Sequence, residues 1–325
     1  MFLQSLQIER FRSLENLQLA DLTAVNVITG GNNAGKTTLL EALYFALASQ
    51  NQMVQFPTAF RDAQSPKHVR MADELVQHFW KWLFPSRNLT LPVVVQAVTS
   101  MKTKLKSELK REGEQNQRLM VRVSGTSENW QLPVMSPQVI PESELEARRA
   151  TLAVFANKPK NVVAEAERYN TVVVKRGEET LLGLLRSIEP RLEKLRYLKV
   201  TSEPLIYADV GLEELIPTSQ MGQAFERLLT LYIEMLTSKA DVLLIDEIEN
   251  GLHHTVYKTV WKGIAELAAR MNIQVFASTH SRECLQAAHE ASFREENNGF
   301  SHHRVRSDGG RVSISTSQSI LGLEI

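Results

Sequence analysis

Cysteine is almost missing from this chain. Cys284 is the single one in 325 residues, which excludes an intramolecular disulfide and suits a reducing compartment. It falls in a helical stretch after His280, where it reads as a small buried apolar side chain. No apolar run reaches the roughly 18 residues that a membrane-crossing helix needs. The opening residues, broken by Glu9, Arg10 and Arg12, lack the pattern of a secretory leader. A cytoplasmic protein with no membrane partner is therefore expected. Net charge is also absent: 37 Lys+Arg cancel 37 Asp+Glu. No global basic field draws in nucleic acid, so only a local patch could bind it. No heptad stripe, internal repeat or low-complexity tract is present, which excludes a long coiled coil. His253-His254 and His302-His303 have no Cys, His or Asp partner at ligand spacing, which argues against zinc. What remains is ordinary globular usage, 43% hydrophobic and 23% charged, at a length that suggests about two domains.

The run Gly30-Gly31-Asn32-Asn33-Ala34-Gly35-Lys36-Thr37 fits G-x-x-x-x-G-K-[ST]. An apolar strand pattern, Val25 to Thr29, precedes it, and a helical pattern with Leu39 and Leu43 on one face follows. A glycine turn before an ordinary helix is the bland alternative, and these flanks argue against it. The glycines let successive N–H groups point inward at phosphate oxygens, and the helix N-terminus adds partial positive charge. Gly30, Asn32, Asn33, Ala34, Gly35, Lys36, Thr37 and Thr38 are thus the candidate nucleotide contacts. Lys36 would reach the β- and γ-phosphates, and the Thr37 hydroxyl would ligand Mg²⁺.

Two more strand patterns end in polar residues. Val242-Leu243-Leu244-Ile245 runs straight into Asp246-Glu247, a buried parallel strand delivering carboxylates where open α/β sheets bind ligands. Asp246 is the candidate metal ligand. Glu247 is the candidate to orient and polarise the attacking water. Ile273 to Ser278 leads into Thr279-His280-Ser281. His280 is a candidate donor to the γ-phosphate or to that water.

Taken together these motifs resemble ABC-type ATPases of the OLD, RecF and SMC kind, in the bacterial "AAA family ATPase" group. The resemblance is carried by residues 3–14, the phosphate loop, Pro217 to Gln223, Leu244 to His253 and Gln274 to Cys284. It is specific over 1–48 and about 212–290 and faint over 50–210. It implies ATP and Mg²⁺ as cofactors and a head-to-tail homodimer that sandwiches two ATP molecules. Ser219, Met221 and Gly222 fall where the family places its signature turn, which would complete the partner's site. Gln223 departs from the acidic or glycine residue that is commoner there. Asn250 to His253 correspond to the D-loop, with His253 in place of an aspartate. Arg12, with Arg10, resembles the basic pair that approaches nucleotide in the SMC-like branch; surface arginines flanking a buried Phe11 are the plain alternative. The family's Q-loop glutamine is not assignable among several, Gln96 included.

The implied fold is α/β: a P-loop NTPase with an ABC-type ATPase sheet and an inserted α+β or helical lobe. Residues 1–48 and 205–325 would make a discontinuous head, and 49–204 the insertion. Within it, strands are expected over 89–98 and 119–124, and helices over 72–84, 142–149 and 180–188. A hairpin is expected at Asp308-Gly309-Gly310. Lys102, Lys104, Lys106, Lys110 and Arg111, against Glu108, read as a solvated loop or helix face or as a phosphate-backbone contact.

The leading functional expectation is an ATP-hydrolysing switch whose dimer controls an effector protein or nucleic acid, in a setting such as phage defence or a toxin–antitoxin module. The alternative is a DNA-repair or nucleic-acid maintenance ATPase. OLD nucleases carry a further C-terminal metal-binding domain, and the stretch after His280 is too short for it, so nuclease chemistry is expected in another chain. A GTPase or P-loop kinase is disfavoured by Glu247 and by Asn157-Lys158-Pro159-Lys160, which lacks the aspartate of a guanine-reading N-K-x-D.

Overall fold

The computed structural model describes residues 3–60, 79–112, 118–125, 129–133, 152–155, 161–200, 203–238, 240–294 and 297–318. In chain order the strands and helices are β1 (Leu3–Phe11), β2 (Leu14–Leu19), β3 (Val25–Thr29), α1 (Lys36–Leu47), α2 (Gln50–Ala59), β4 (Val93–Thr99), β5 (Lys104–Glu112), β6 (Arg118–Ser124), β7 (Asn129–Pro133) and β8 (Leu152–Phe155). There follow α3 (Val162–Val174), α4 (Glu178–Leu185), β9 (Lys194–Leu198), β10 (Leu205–Asp209), β11 (Ile216–Pro217), α5 (Gln223–Thr237), β12 (Val242–Ile245), α6 (Tyr257–Met271), β13 (Gln274–Ser278) and α7 (Arg282–Ser292). The short pair β14 (Phe293–Arg294) and β15 (Asn297–Asn298) precedes the hairpin β16 (Phe300–Asp308) and β17 (Arg311–Ser317).

Two six-stranded sheets organise these elements. The central sheet has the order β17-β16-β3-β13-β12-β8 and is parallel except for the edge strand β17. Its inner strand β12 is an unbroken apolar run, Val242 to Ile245, buried throughout because both faces are covered. Alternate residues divide between the faces. Ile28, Val242, Leu244 and Phe276 join a core with α1 and the second sheet. Val25, Val27, Leu243, Ile245, Val275 and Ala277 join another with α3 to α7. The second sheet is antiparallel, in the order β2-β1-β4-β5-β6-β7. A three-stranded antiparallel sheet, β11-β10-β9, leads into α5.

Strand pairing crosses the boundaries expected at 48/49 and 204/205. β4 to β7 continue the sheet begun by β1, and β8 pairs with β12 in the central sheet. The antiparallel sheet cannot close its apolar face with β1 and β2 alone. Val93, Val95, Leu105, Leu109 and Val121 from the intervening residues complete the core around α1. The basic run is a strand: along β5, Leu105, Ser107 and Leu109 point inward while Lys104, Lys106, Glu108 and Lys110 point out. The expected helix over 142–149 and the Asn157–Lys160 run lie outside the described residues. The expected helix over 72–84 is described only from residue 79.

The β16–β17 hairpin turns at Gly309-Gly310, with Asp308 opposite Arg311. It carries two buried histidines beside the phosphate-loop strand. His302 Nε2 lies 2.6 Å from Thr29 Oγ1. His303 Nδ1 is 2.9 Å from Thr316 Oγ1, and its Nε2 is 3.4 Å from Asn26 Oδ1. Among the described residues no helix is long and apolar enough to cross a membrane.

Candidate functional site

β3, β12 and β13 are parallel neighbours, so their carboxyl ends share one edge. That edge receives the glycine loop from β3, Asp246-Glu247 from β12 and Thr279-His280 from β13. The loop is shaped by positive φ at Gly30 (151°), Asn33 (60°) and Gly35 (108°). Gly30 has a second reason to be glycine: a Cβ there would sit 2.3 Å from the Val305 carbonyl oxygen of β16. α1 begins at Lys36, directly behind Gly35.

Lys36 folds back over its own loop. Its Nζ donates to the Gly30 carbonyl at 2.8 Å and to the Gly31 carbonyl at 3.0 Å. Burial lowers its pKa against the attraction of Glu247, Glu249 and Asp246. The ammonium is thus held against two carbonyls of its own loop.

Thr37 Oγ1 donates to Asp246 at 3.0 and 3.2 Å, and Ser278 Oγ donates to Asp246 Oδ1 at 2.6 Å. Burial pushes the Asp246 pKa up, while these two hydroxyls pull it down. A hydroxyl and a carboxylate are hard oxygen donors of the kind Mg²⁺ takes, and Thr37 and Asp246 already face each other. Ser278 also accepts from the backbone N–H of Glu247 at 2.8 Å. Glu247 adopts φ 50°, a strained conformation for a residue with a side chain. Asn250 Nδ2 holds its Oε2 at 2.5 Å.

Two residues that motif reading passed over support this edge. Arg227 of α5 is buried. It donates to the carbonyl of Glu247 at 2.8 Å and of Asp246 at 3.3 Å, and stacks 4.7 Å over the Phe155 ring. Its place in the apolar stripe of α5, between Phe225 and Leu228, was the available signal. Glu249, 6% exposed, accepts from the His280 backbone N–H and lies 2.7 Å from the His280 ring Nδ1.

The remaining candidates lie farther out. Arg12 has φ 54° and pairs with Glu41 of α1, Nε to Oε2 at 2.7 Å. Arg12 and Thr38 both line a cavity of about 1530 Å³ together with Trp82, Arg87 and Arg311; residues 30–37 do not line it. Asn32 is exposed and Ala34 is buried. Ser219 sits in a 3₁₀ turn and lines a small cleft with Glu165, Pro217 and Glu226. Gly222, at φ 91°, starts α5. Gln223 abuts the D-loop: a Cβ on Gly251 would come within 2.9 Å of its side chain. Gln96 donates to Glu9 across the antiparallel sheet.

Comparison with known proteins bears on the family and the fold. A family model described as "AAA domain, putative AbiEii toxin, Type IV TA system" matches residues 108–285. A second, "AAA ATPase domain", matches residues 1–122. An "ATP/GTP phosphatase" of Helicobacter pylori is 22% identical over 87% of this chain and 86% of its own length. A "DNA replication and repair protein RecF" of Idiomarina loihiensis is 43% identical over 44 residues, 14% of this chain and 12% of its own. Among solved structures, the SMC head domain from Thermotoga maritima aligns over 98% of this chain and 99% of its own, with TM-score 0.53 and 14% identity. An Smc head derived from Pyrococcus furiosus, bound to the C-terminal domain of ScpA, aligns over 97% and 96%, with TM-score 0.53 and 11% identity.

Proposed function

This chain belongs to the AAA-domain ATPase family of the putative AbiEii toxins, and from that membership we propose that it is a Mg²⁺-dependent, ATP-driven switch whose site is completed by a second copy. It is an ATPase with an SMC-head-like fold. The observation that carries the assignment of residues is the convergence of three parallel strand ends, with Thr37 already bonded to Asp246.

In this reading the N–H groups of residues 30–37 and the Lys36 ammonium bind the β- and γ-phosphates, Lys36 exchanging two carbonyls for phosphate oxygens. Thr37 and Asp246 hold Mg²⁺, which when bound neutralises charge on the phosphates. Ser278 keeps Asp246 aimed at Thr37. Glu247, held by Asn250 and by Arg227 on its carbonyl, orients the attacking water. His280 stands at the rim beside it. Base and ribose occupy the cavity past Arg12 and Thr38. Ser219 and Gly222 of a second copy close over the γ-phosphate. Ser219 shares its cleft with Glu165, Pro217 and Glu226 and with no residue of the loop, which supports completion in trans.

The closed dimer is the signal, read by an effector protein in the cytoplasm, in a defence or toxin–antitoxin setting. Direct nucleic-acid control is the weaker branch. The outer face of β5 is neutralised by Lys106–Glu108 at 3.1 Å and Lys110–Glu112 at 2.9 Å.

Phosphate release and light scattering test the proposal. Lys36→Ala should lose nucleotide binding. Glu247→Gln should bind ATP, lose turnover by about 10²-fold or more, and accumulate as a dimer; adding Ser219→Arg should disperse it. Undiminished turnover in Glu247→Gln removes Glu247 from the mechanism, and a monomeric mass at saturating ATP removes the sandwich.

A further inference from the structure

Glu249 is a third carboxylate at this sheet edge, after Asp246 and Glu247. One of its oxygens, Oε1, serves a single residue twice: it accepts the His280 backbone N–H at 2.7 Å and lies 2.7 Å from ring Nδ1. The other, Oε2, is buried and has no hydrogen-bond partner among the described residues. The His280 side chain, in contrast, is 53% exposed. The ring is thus tied at its near nitrogen while more than half of the side chain is open to solvent.

The chemistry of that tie is directional. A carboxylate oxygen has no hydrogen to give and can accept more than one, so Nδ1 must bring the hydrogen to this bond. In a neutral imidazole the other nitrogen then carries a lone pair. Anchoring the 279–281 turn needs only one neutral acceptor for the backbone N–H. Placing a buried carboxylate against both N–H and ring is more than anchoring requires, because burial of such a group is costly.

We propose that Glu249 is a positioning residue for ATP hydrolysis: it holds His280 as the Nδ1–H tautomer, so that Nε2 faces the nucleotide as a hydrogen-bond acceptor for the attacking water. This rests on the ATPase reading of the same edge, and it selects between the two roles open to His280. A ring in this state has no proton to offer the γ-phosphate. It shares the water with Glu247, and Asp246, Lys36 and Arg227 are the other charged groups facing the edge.

The test uses the full chain with ¹⁵N-labelled histidine and long-range ¹H–¹⁵N correlation spectra, which report the tautomer of each ring. His280→Gln identifies the signal. Protonated Nδ1 and unprotonated Nε2 are expected in the wild type, and loss of that preference in Glu249→Ala. Glu249→Gln retains an acceptor oxygen and should keep both the tautomer and most of the turnover. In kinetics, Glu249→Ala should lower kcat about 10-fold or more with KM within about 3-fold. In the His280→Ala background the same change should cost nothing further, since the two act as a unit. Additive losses, or an Nε2–H tautomer in the wild type, overturn the proposal. An active wild type with Nε2–H sinks the dyad alone. An inert wild type with the expected tautomer sinks the ATPase reading and, with it, any part of Glu249 in hydrolysis.

Discussion

Acid should undo this fold through two histidines. His302 and His303 lie in β16 with at most 1% exposure. Burial first, then the charge of Arg304, lowers the His302 pKa to about 4. Burial first, then His302, lowers that of His303 to about 3. An unfolded histidine titrates near 6.5. Above that value both rings are neutral in either state and their contribution to stability is complete. As pH falls through 6.5 the unfolded chain takes up two protons that the folded chain refuses, so stability drops with pH. The slope for the pair is about 3 kcal/mol per pH unit until the folded rings begin to titrate near 4. Going from pH 6.5 to 5 removes roughly 3 kcal/mol, since the slope is only half developed at 6.5 itself, and that is a large share of a typical 5–15 kcal/mol. Urea unfolding of the wild type and of His303→Gln at pH 7.5, 6.5, 5.75 and 5 reads this directly. The variant should lose stability with about half the wild-type slope. Equal slopes would mean that His303 is not held neutral by the fold, and the argument from burial would fail. His302 meets Thr29 and stays neutral in the folded chain until the pH nears 4, so nucleotide binding by the folded protein should hold across this window.

Gly30→Ala places a methyl against the Val305 carbonyl at an unfavourable φ, so it should abolish nucleotide binding and lower the urea midpoint; wild-type binding would show that loop and hairpin separate freely. Arg227→Gln leaves the Glu247 carbonyl without its cation; a loss of about 2 kcal/mol in unfolding free energy is expected, with turnover falling more than affinity for a fluorescent ATP analogue. Charge reversal at Lys104, Lys106 and Lys110 should leave duplex-DNA binding and its salt dependence unchanged, and a flattened salt slope would restore the nucleic-acid branch.

The nucleotide edge was legible because each part is local. A glycine run between an apolar strand and a helix, or two acids directly after four apolar residues, announces itself within eight residues. The rest depends on partners far away in sequence. Nothing near Val93 or Leu105 says that they close a core begun at Leu6 and Ile8. The period-2 pattern of Leu105, Ser107 and Leu109 was hidden by the lysines between them, whose charges suggested a surface loop. Arg227 resembled one more polar position on an amphipathic helix, and its role appears only once α5 lies against the end of β12. Glu249 was masked by the two acids before it, since its partner His280 comes from the next strand.

The order of the central sheet has a consequence for how the protein is made. Among the described residues β3 pairs with β13 and β16 alone, strands that leave the ribosome some 250 residues after it. At about 5–20 residues per second that is on the order of 10–50 s of synthesis, during which β1, β2 and β4 to β7 have their partners but the phosphate loop has no footing. Gly30 receives its opposing wall, the Val305 carbonyl, last of all. The sheet edge that carries the phosphate loop is therefore incomplete in a nascent chain until β16 has been made.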